Sequence, residues 1–128
     1  EEAAVRIRGG RNVVVYPEGT RGTSYALRPF KKGPFVLAIA AGVPVIPTII
    51  HGTIEVNPRG TLRARPGRVD VHLLEPVSAA GLTYEERDAL SRVVDERRGE
   101  GCRRVYGGGS PPYPSRQVSP AAAPAAAE

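Results

Sequence analysis

The amino-acid sequence predicts an α/β domain, a mixed sheet flanked by helices, on three observations. Residues 13–16 and 43–50 are short apolar runs rich in β-branching and bounded by proline or glycine, the pattern of strands covered on both faces. Residues 34–41, between them, have Pro34 in a first-turn position and Gly42 just beyond the end, the punctuation of a helix. Thr83 and Glu86 stand at capping-box spacing ahead of a second helical pattern.

In chain order, residues 2–8 read as a helix stopped by Gly9 and Gly10, and residues 12–16 as a strand that Pro17 ends by removing a ladder donor. A polar loop over 22–32 precedes the helix at 34–41. Residues 43–50 are expected to form a central strand, interrupted because Pro44 and Pro47 each lack an amide donor. Residues 61–65 and 68–74 read as two further strands joined at Pro66 and Gly67. The capping box opens a helix to about Arg98, with Leu90, Val93 and Val94 on one face. Two segments follow: 1–106 as part of one folded domain, and 107–128 as a disordered Gly/Pro/Ala-rich tail that buries too little apolar surface to offset chain entropy. A proline-rich ligand role for the tail is the weaker alternative.

Composition narrows the class. No apolar run reaches the ~20 residues of a membrane-spanning helix, and the stretch over 35–50 is broken by Gly42, Pro44 and Pro47. The one cysteine, Cys102, excludes an internal disulfide and reads as an inert surface thiol; no metal site is expected. A net charge of +5 suits phosphorylated substrates, anionic headgroups or nucleic acid. The arginines are dispersed and aromatic residues are few, so no nucleic-acid partner is expected.

The most specific stretch is Tyr16-Pro17-Glu18-Gly19-Thr20-Arg21. Gly19 permits a sharp turn or close approach of a ligand, and Thr20 and Arg21 offer donors to a phosphate or carboxylate. The same residues also fit ordinary turn chemistry. Downstream lie Phe30-Lys31-Lys32-Gly33-Pro34-Phe35 and then Val43-Pro44-Val45-Ile46-Pro47.

Together these segments resemble the glycerolipid acyltransferase family typified by 1-acyl-sn-glycerol-3-phosphate acyltransferase, over roughly residues 5–98. The resemblance implies a partial glycerolipid-acyltransferase-like fold and a substrate-binding role for Glu18, Gly19, Thr20 and Arg21 at the glycerol-phosphate acceptor. It places Val43, Pro44, Val45, Ile46 and Pro47 at the substrate-site border. Tyr16 stands where the family commonly has Phe, and Gly22 where it commonly has Ser. In that implied role Arg21 would pair with the acceptor phosphate, while Glu18 would orient Arg21 or accept from a glycerol hydroxyl.

The family's catalytic His-x-x-x-x-Asp is absent. Five positions after His51 stands Val56, and five after His72 stands Val77. His51 ends an apolar run at a possible site edge, and His72 alternates with Val71 and Leu73 beside Asp70 on what reads as a solvated sheet face; both histidines are expected to be structural. No catalytic residue is therefore expected in this chain, which reads as the C-terminal, by itself inactive, portion of a longer phospholipid-biosynthesis enzyme. The implied reaction moves a fatty acyl group from acyl-CoA or acyl-carrier protein, as donor substrate with no cofactor, to lysophosphatidic acid at the cytoplasmic face of the membrane. Glycerol-3-phosphate or a lyso-aminolipid as acceptor, and a non-catalytic basic module for nucleic acid or anionic lipid, are the alternatives.

Overall fold

The computed structural model describes residues 2–22 and 27–107. It contains α1 (Glu2–Arg8), α2 (Gly33–Ala41), β1 (Thr48–His51), a single-turn α3 (Thr53–Val56), β2 (Asp70–Leu73), a 3-10 turn at Tyr84–Glu86 and the long α4 (Arg87–Tyr106). The tail, past Gly107, lies outside the described residues.

The helix starts and stops obey local chemistry. Gly42 adopts φ 67° and donates its N–H to the Ala38 and Ile39 carbonyls, closing α2 in the left-handed conformation that glycine takes without strain. Glu86 accepts from the Thr83 amide at 2.7 Å and from its hydroxyl at 3.1 Å, so the capping box forms and leads into α4. Arg8 donates to the Ala40 carbonyl at 2.8 Å, tying α1 to the end of α2.

The sheet is smaller than expected, with two antiparallel strands among the described residues: Thr48 pairs with Leu73, Ile49 with His72, Ile50 with Val71 and His51 with Asp70. Ahead of β1, Val45 and Val77 exchange both amide bonds at 2.8 Å as an isolated bridge, and Leu74 donates to the Pro47 carbonyl at 2.9 Å. The proline-bearing segment thus pairs through both groups of Val45 and, at Pro47, through the carbonyl alone, as expected of an interrupted strand.

Four local expectations fail. Residues 13–16 form no strand; they run exposed, Val14 at 79 %, because no neighbouring strand among the described residues accepts their amides. Residues 61–65 are also irregular, and Arg65 instead donates to the Val56 carbonyl at the end of α3. β1 is not central, since Ile50 is exposed and Ile49 alone of its apolar pair is buried. The polarity of β2 is reversed: Val71 and Leu73 face solvent, while Asp70 and His72 are half-buried on the α4 side.

Two cores hold the elements together. Phe35 and Ala38 of α2 pack with Val77, Ala79, Leu90 and Val94, with Phe30 and Val45 against them. Ile49, Leu74 and Cys102 form the second, covered by Leu27 and Tyr106. α4 joins both because it runs beyond Arg98 to Tyr106. Its Gly101 leaves room that a Cβ would deny, 2.7 Å from Leu74 Cδ1 and 3.0 Å from Ile49 Cδ1. Cys102 is wholly buried and Val93 is exposed, both opposite to expectation, because the inward stripe of α4 runs through Leu90, Val94, Arg98, Gly101 and Cys102 and leaves Val93 beside it.

Candidate active site: the turn at residues 16–21

Residues 16–19 make a tight turn in which Gly19 donates to the Tyr16 carbonyl at 3.0 Å and adopts φ 77°. The turn is closed from the other side by Lys31, whose amide donates to the Pro17 carbonyl at 2.7 Å. The Lys31 stem passes directly over Gly19: a Cβ there would fall 2.4 Å from Cε and 2.9 Å from Cδ. The backbone conformation of Gly19 favours glycine, and its missing side chain admits the flexible Lys31 stem.

Glu18 does not pair with Arg21. Its carboxylate accepts from Arg98 Nη1 at 2.7 Å, across 80 residues of sequence. Arg98, 7 % exposed, also donates to Asp95 and to the Arg28 carbonyl at 3.2 Å, and its Cζ lies 4.0 Å from the Phe30 ring centre. Its Nε is buried without a hydrogen-bond partner. Nothing in the local sequence of α4 marks this arginine, since its partners come from the turn and from the loop at 28–30. An arginine at an inward helix position, one turn from the buried Val94, was the available signal.

Arg21 is exposed, and its side chain has no ion-pair or hydrogen-bond partner among the described residues, while its carbonyl accepts from Arg59 at 3.2 Å. The Lys31 ammonium is likewise uncommitted among them. Lys32, by contrast, is spent on Asp88 at 3.0 Å, where the ammonium holds the Asp88 carboxyl below its usual range. Arg21 and Lys31 are thus exposed cations without an ion-pair partner among the described residues, while Glu18 is held by Arg98 of α4.

The second group of expected residues lies across the first core. Val45 packs there through its bridge to Val77, Pro47 is buried, and Pro44 and Ile46 are exposed. Phe30 contacts that core and carries Arg98 on its ring, so it links the 43–47 segment to the turn.

Both histidines meet at Tyr106, far along α4 from the turn. His72 Nε2 lies 2.7 Å from the Tyr106 hydroxyl, and the His51 ring stacks on Tyr106 at 4.3 Å. Burial, then the nearby Asp70 carboxylate, push the Tyr106 phenol above its ordinary value. Among the described residues no three His, Cys, Asp or Glu side chains are grouped to hold a metal ion, and no helix is long and apolar enough to cross a membrane.

Comparison with known proteins gives this geometry a family. The Acyltransferase family model matches residues 1–51. The chain is 41 % identical over 83 residues to 1-acyl-sn-glycerol-3-phosphate acyltransferase alpha of Mus musculus, spanning 64 % of this chain and 29 % of that protein. It is 34 % identical over 95 residues to 1-acyl-sn-glycerol-3-phosphate acyltransferase of Limnanthes douglasii, spanning 73 % of this chain and 34 % of that one. The crystal structure of the 1-acyl-sn-glycerophosphate (LPA) acyltransferase PlsC from Thermotoga maritima matches 85 % of this chain and 44 % of its own length, with 34 % identity and a TM-score of 0.71. The chain thus spans about a third of the length of these curated relatives. With the helices, the small sheet and the Glu-Gly-Thr-Arg turn arranged as described, this chain belongs to the glycerolipid acyltransferase family.

Proposed function

We propose that the intact enzyme acylates 1-acyl-sn-glycerol-3-phosphate at the cytoplasmic face of a membrane, and that this chain supplies the grip on the acceptor phosphate. The observation that carries the reading is that Arg21 and Lys31 are both exposed and have no ion-pair partner among the described residues, with the Lys31 stem laid over Gly19. A phosphate monoester carries up to two negative charges and several acceptor oxygens, so a guanidinium, an ammonium and the Thr20 hydroxyl match it in charge and donors.

In the proposed reaction the acceptor hydroxyl oxygen attacks the thioester carbonyl of acyl-CoA or acyl-carrier protein. A C–O bond forms, the C–S bond breaks, and the hydroxyl proton passes through a base to the departing thiolate. Neither histidine of this chain is offered as that base, because both are packed around Tyr106. The reading assigns the base to the part of the family's length that this chain does not span. Binding of the phosphate fixes the hydroxyl's position and lowers the entropic cost of meeting the thioester.

The test is an acceptor profile of the intact enzyme. Lysophosphatidate is expected to be acylated with the highest kcat/KM, ahead of glycerol-3-phosphate and a lyso-aminolipid. Equal use of an acceptor without a phosphate would overturn the assignment.

A further inference from the structure

We infer that Arg98 is a positioning residue for acceptor binding: by holding the Glu18 carboxylate, it keeps the Arg21 guanidinium open to phosphate. The inference rests on the acyl-transfer reading above and adds to it a residue outside the turn.

The turn contains an internal competitor. Glu18 and Arg21 lie three residues apart, and a carboxylate within reach of a guanidinium forms a charge-assisted, often bidentate pair. A phosphate arriving at a paired Arg21 would have to displace that carboxylate and overcome its repulsion. Instead Arg98 takes Glu18 Oε1 at 2.7 Å, and Arg21 is left without a partner among the described residues. Arg98 is itself fixed by Asp95, by the Arg28 carbonyl and by the face of Phe30. The next residue, Lys31, closes the turn through Pro17 and lays its stem over Gly19. One buried guanidinium and one short segment thus set both the direction of the carboxylate and the placement of the second cation.

Stability alone is a poor reason for this arrangement. A buried ion pair rarely outperforms apolar packing, and here Arg98 Nε is buried without a partner. What the pair supplies is separation of charge within the turn.

The experiment is a double-mutant cycle in the intact enzyme, reading acceptor and donor KM separately for wild type, Arg98→Met, Glu18→Gln and the double variant. Arg98→Met is expected to raise the KM for lysophosphatidate roughly tenfold or more, the size of one disabled charge-assisted contact, with donor KM within about twofold. The double variant should be no worse for the acceptor than Glu18→Gln alone, because no carboxylate remains to occupy Arg21. Losses that multiply in the double variant, or KM values that rise together for both substrates, overturn the inference. Should Arg98→Met fail to fold, Arg98→Lys with and without Glu18→Gln carries the same comparison. A wild-type enzyme that does not acylate lysophosphatidate overturns the underlying reading; a competent one whose variants multiply overturns only the role of Arg98.

Discussion

Arg98 on α4 and Glu18 in the turn at 16–19 form a 2.7 Å charged hydrogen bond that joins the two ends of the described chain. Through it the conformation of a surface turn becomes a property of how a helix 80 residues away is seated. The variants that follow separate the turn's own contribution from that of its support.

Arg21→Ala in the intact enzyme should raise acceptor KM by roughly 10- to 150-fold, corresponding to a lost charge-assisted contact of about 1.5–3 kcal/mol. Donor KM should hardly move. Separate titration of the two substrates at saturating partner checks this, and equal losses would show that Arg21 is not specific to the acceptor.

Gly19→Ala combines a φ of 77° with a methyl group set 2.4 Å from Lys31 Cε. The lysine stem is flexible and can swing aside, so the backbone strain, of order 1–3 kcal/mol, is the main stability cost. The functional cost should be larger in proportion, because displacing Lys31 moves a cation away from the phosphate. Acceptor KM should rise, and the melting temperature should fall by roughly 4–8 °C for each kcal/mol of that strain.

Gly52→Ala has no such escape. The residue sits at φ 101° between β1 and α3, and a Cβ would meet the Arg68 carbonyl oxygen at 2.1 Å, a backbone atom fixed by the approach to β2. Strain and clash together should cost more than about 2 kcal/mol. Urea unfolding monitored by far-UV circular dichroism should show a lower midpoint with the slope unchanged.

Tyr106 gives the protein an alkaline limit. Burial and Asp70 raise its pKa in the folded chain, so the folded state holds the phenolic proton more tightly than the unfolded state does. The associated stability is present below about pH 10, the unfolded phenol's range, and is lost as pH rises through the raised folded value. The groups facing it are Asp70 and His72 of β2, His51 of β1, Arg68, and Cys102 on its own helix. Tyr106→Phe should flatten the fall in urea midpoint above pH 10, while forfeiting about 1 kcal/mol from the His72 hydrogen bond at neutral pH.

How far the sequence was legible depended on where each residue's partners lie. α1, α2 and the capping box at Thr83 were readable because Gly9, Pro34, Gly42 and Glu86 act on neighbours within one helical turn. Residues 13–16 misled because a β-branched apolar run specifies strand propensity but not the neighbouring strand that would accept its amides. α4 runs past its expected end at about Arg98 because its later turns are held by tertiary packing, with Gly101 where Leu74 and Ile49 approach the helix. The turn at 16–19 was legible as a turn from Pro17 and Gly19. Its counter-charge was not, because Arg98 is paired through the fold, and its spacing from Leu90 and Val94 marks an inward arginine without naming its partner.

Cys102 lies one helical turn beyond Arg98 and is sealed between Ile49 and Leu74. That makes its thiol a built-in clock for the seating of α4. A thiol reagent can reach the sulfur only when the helix lifts from the sheet, and the same excursion strains the Arg98 grip on Glu18. Labelling under native conditions should be slower than in urea by a factor that reports the opening equilibrium. Saturation with an acceptor analogue should slow it further if the occupied turn and the seated helix stabilise each other.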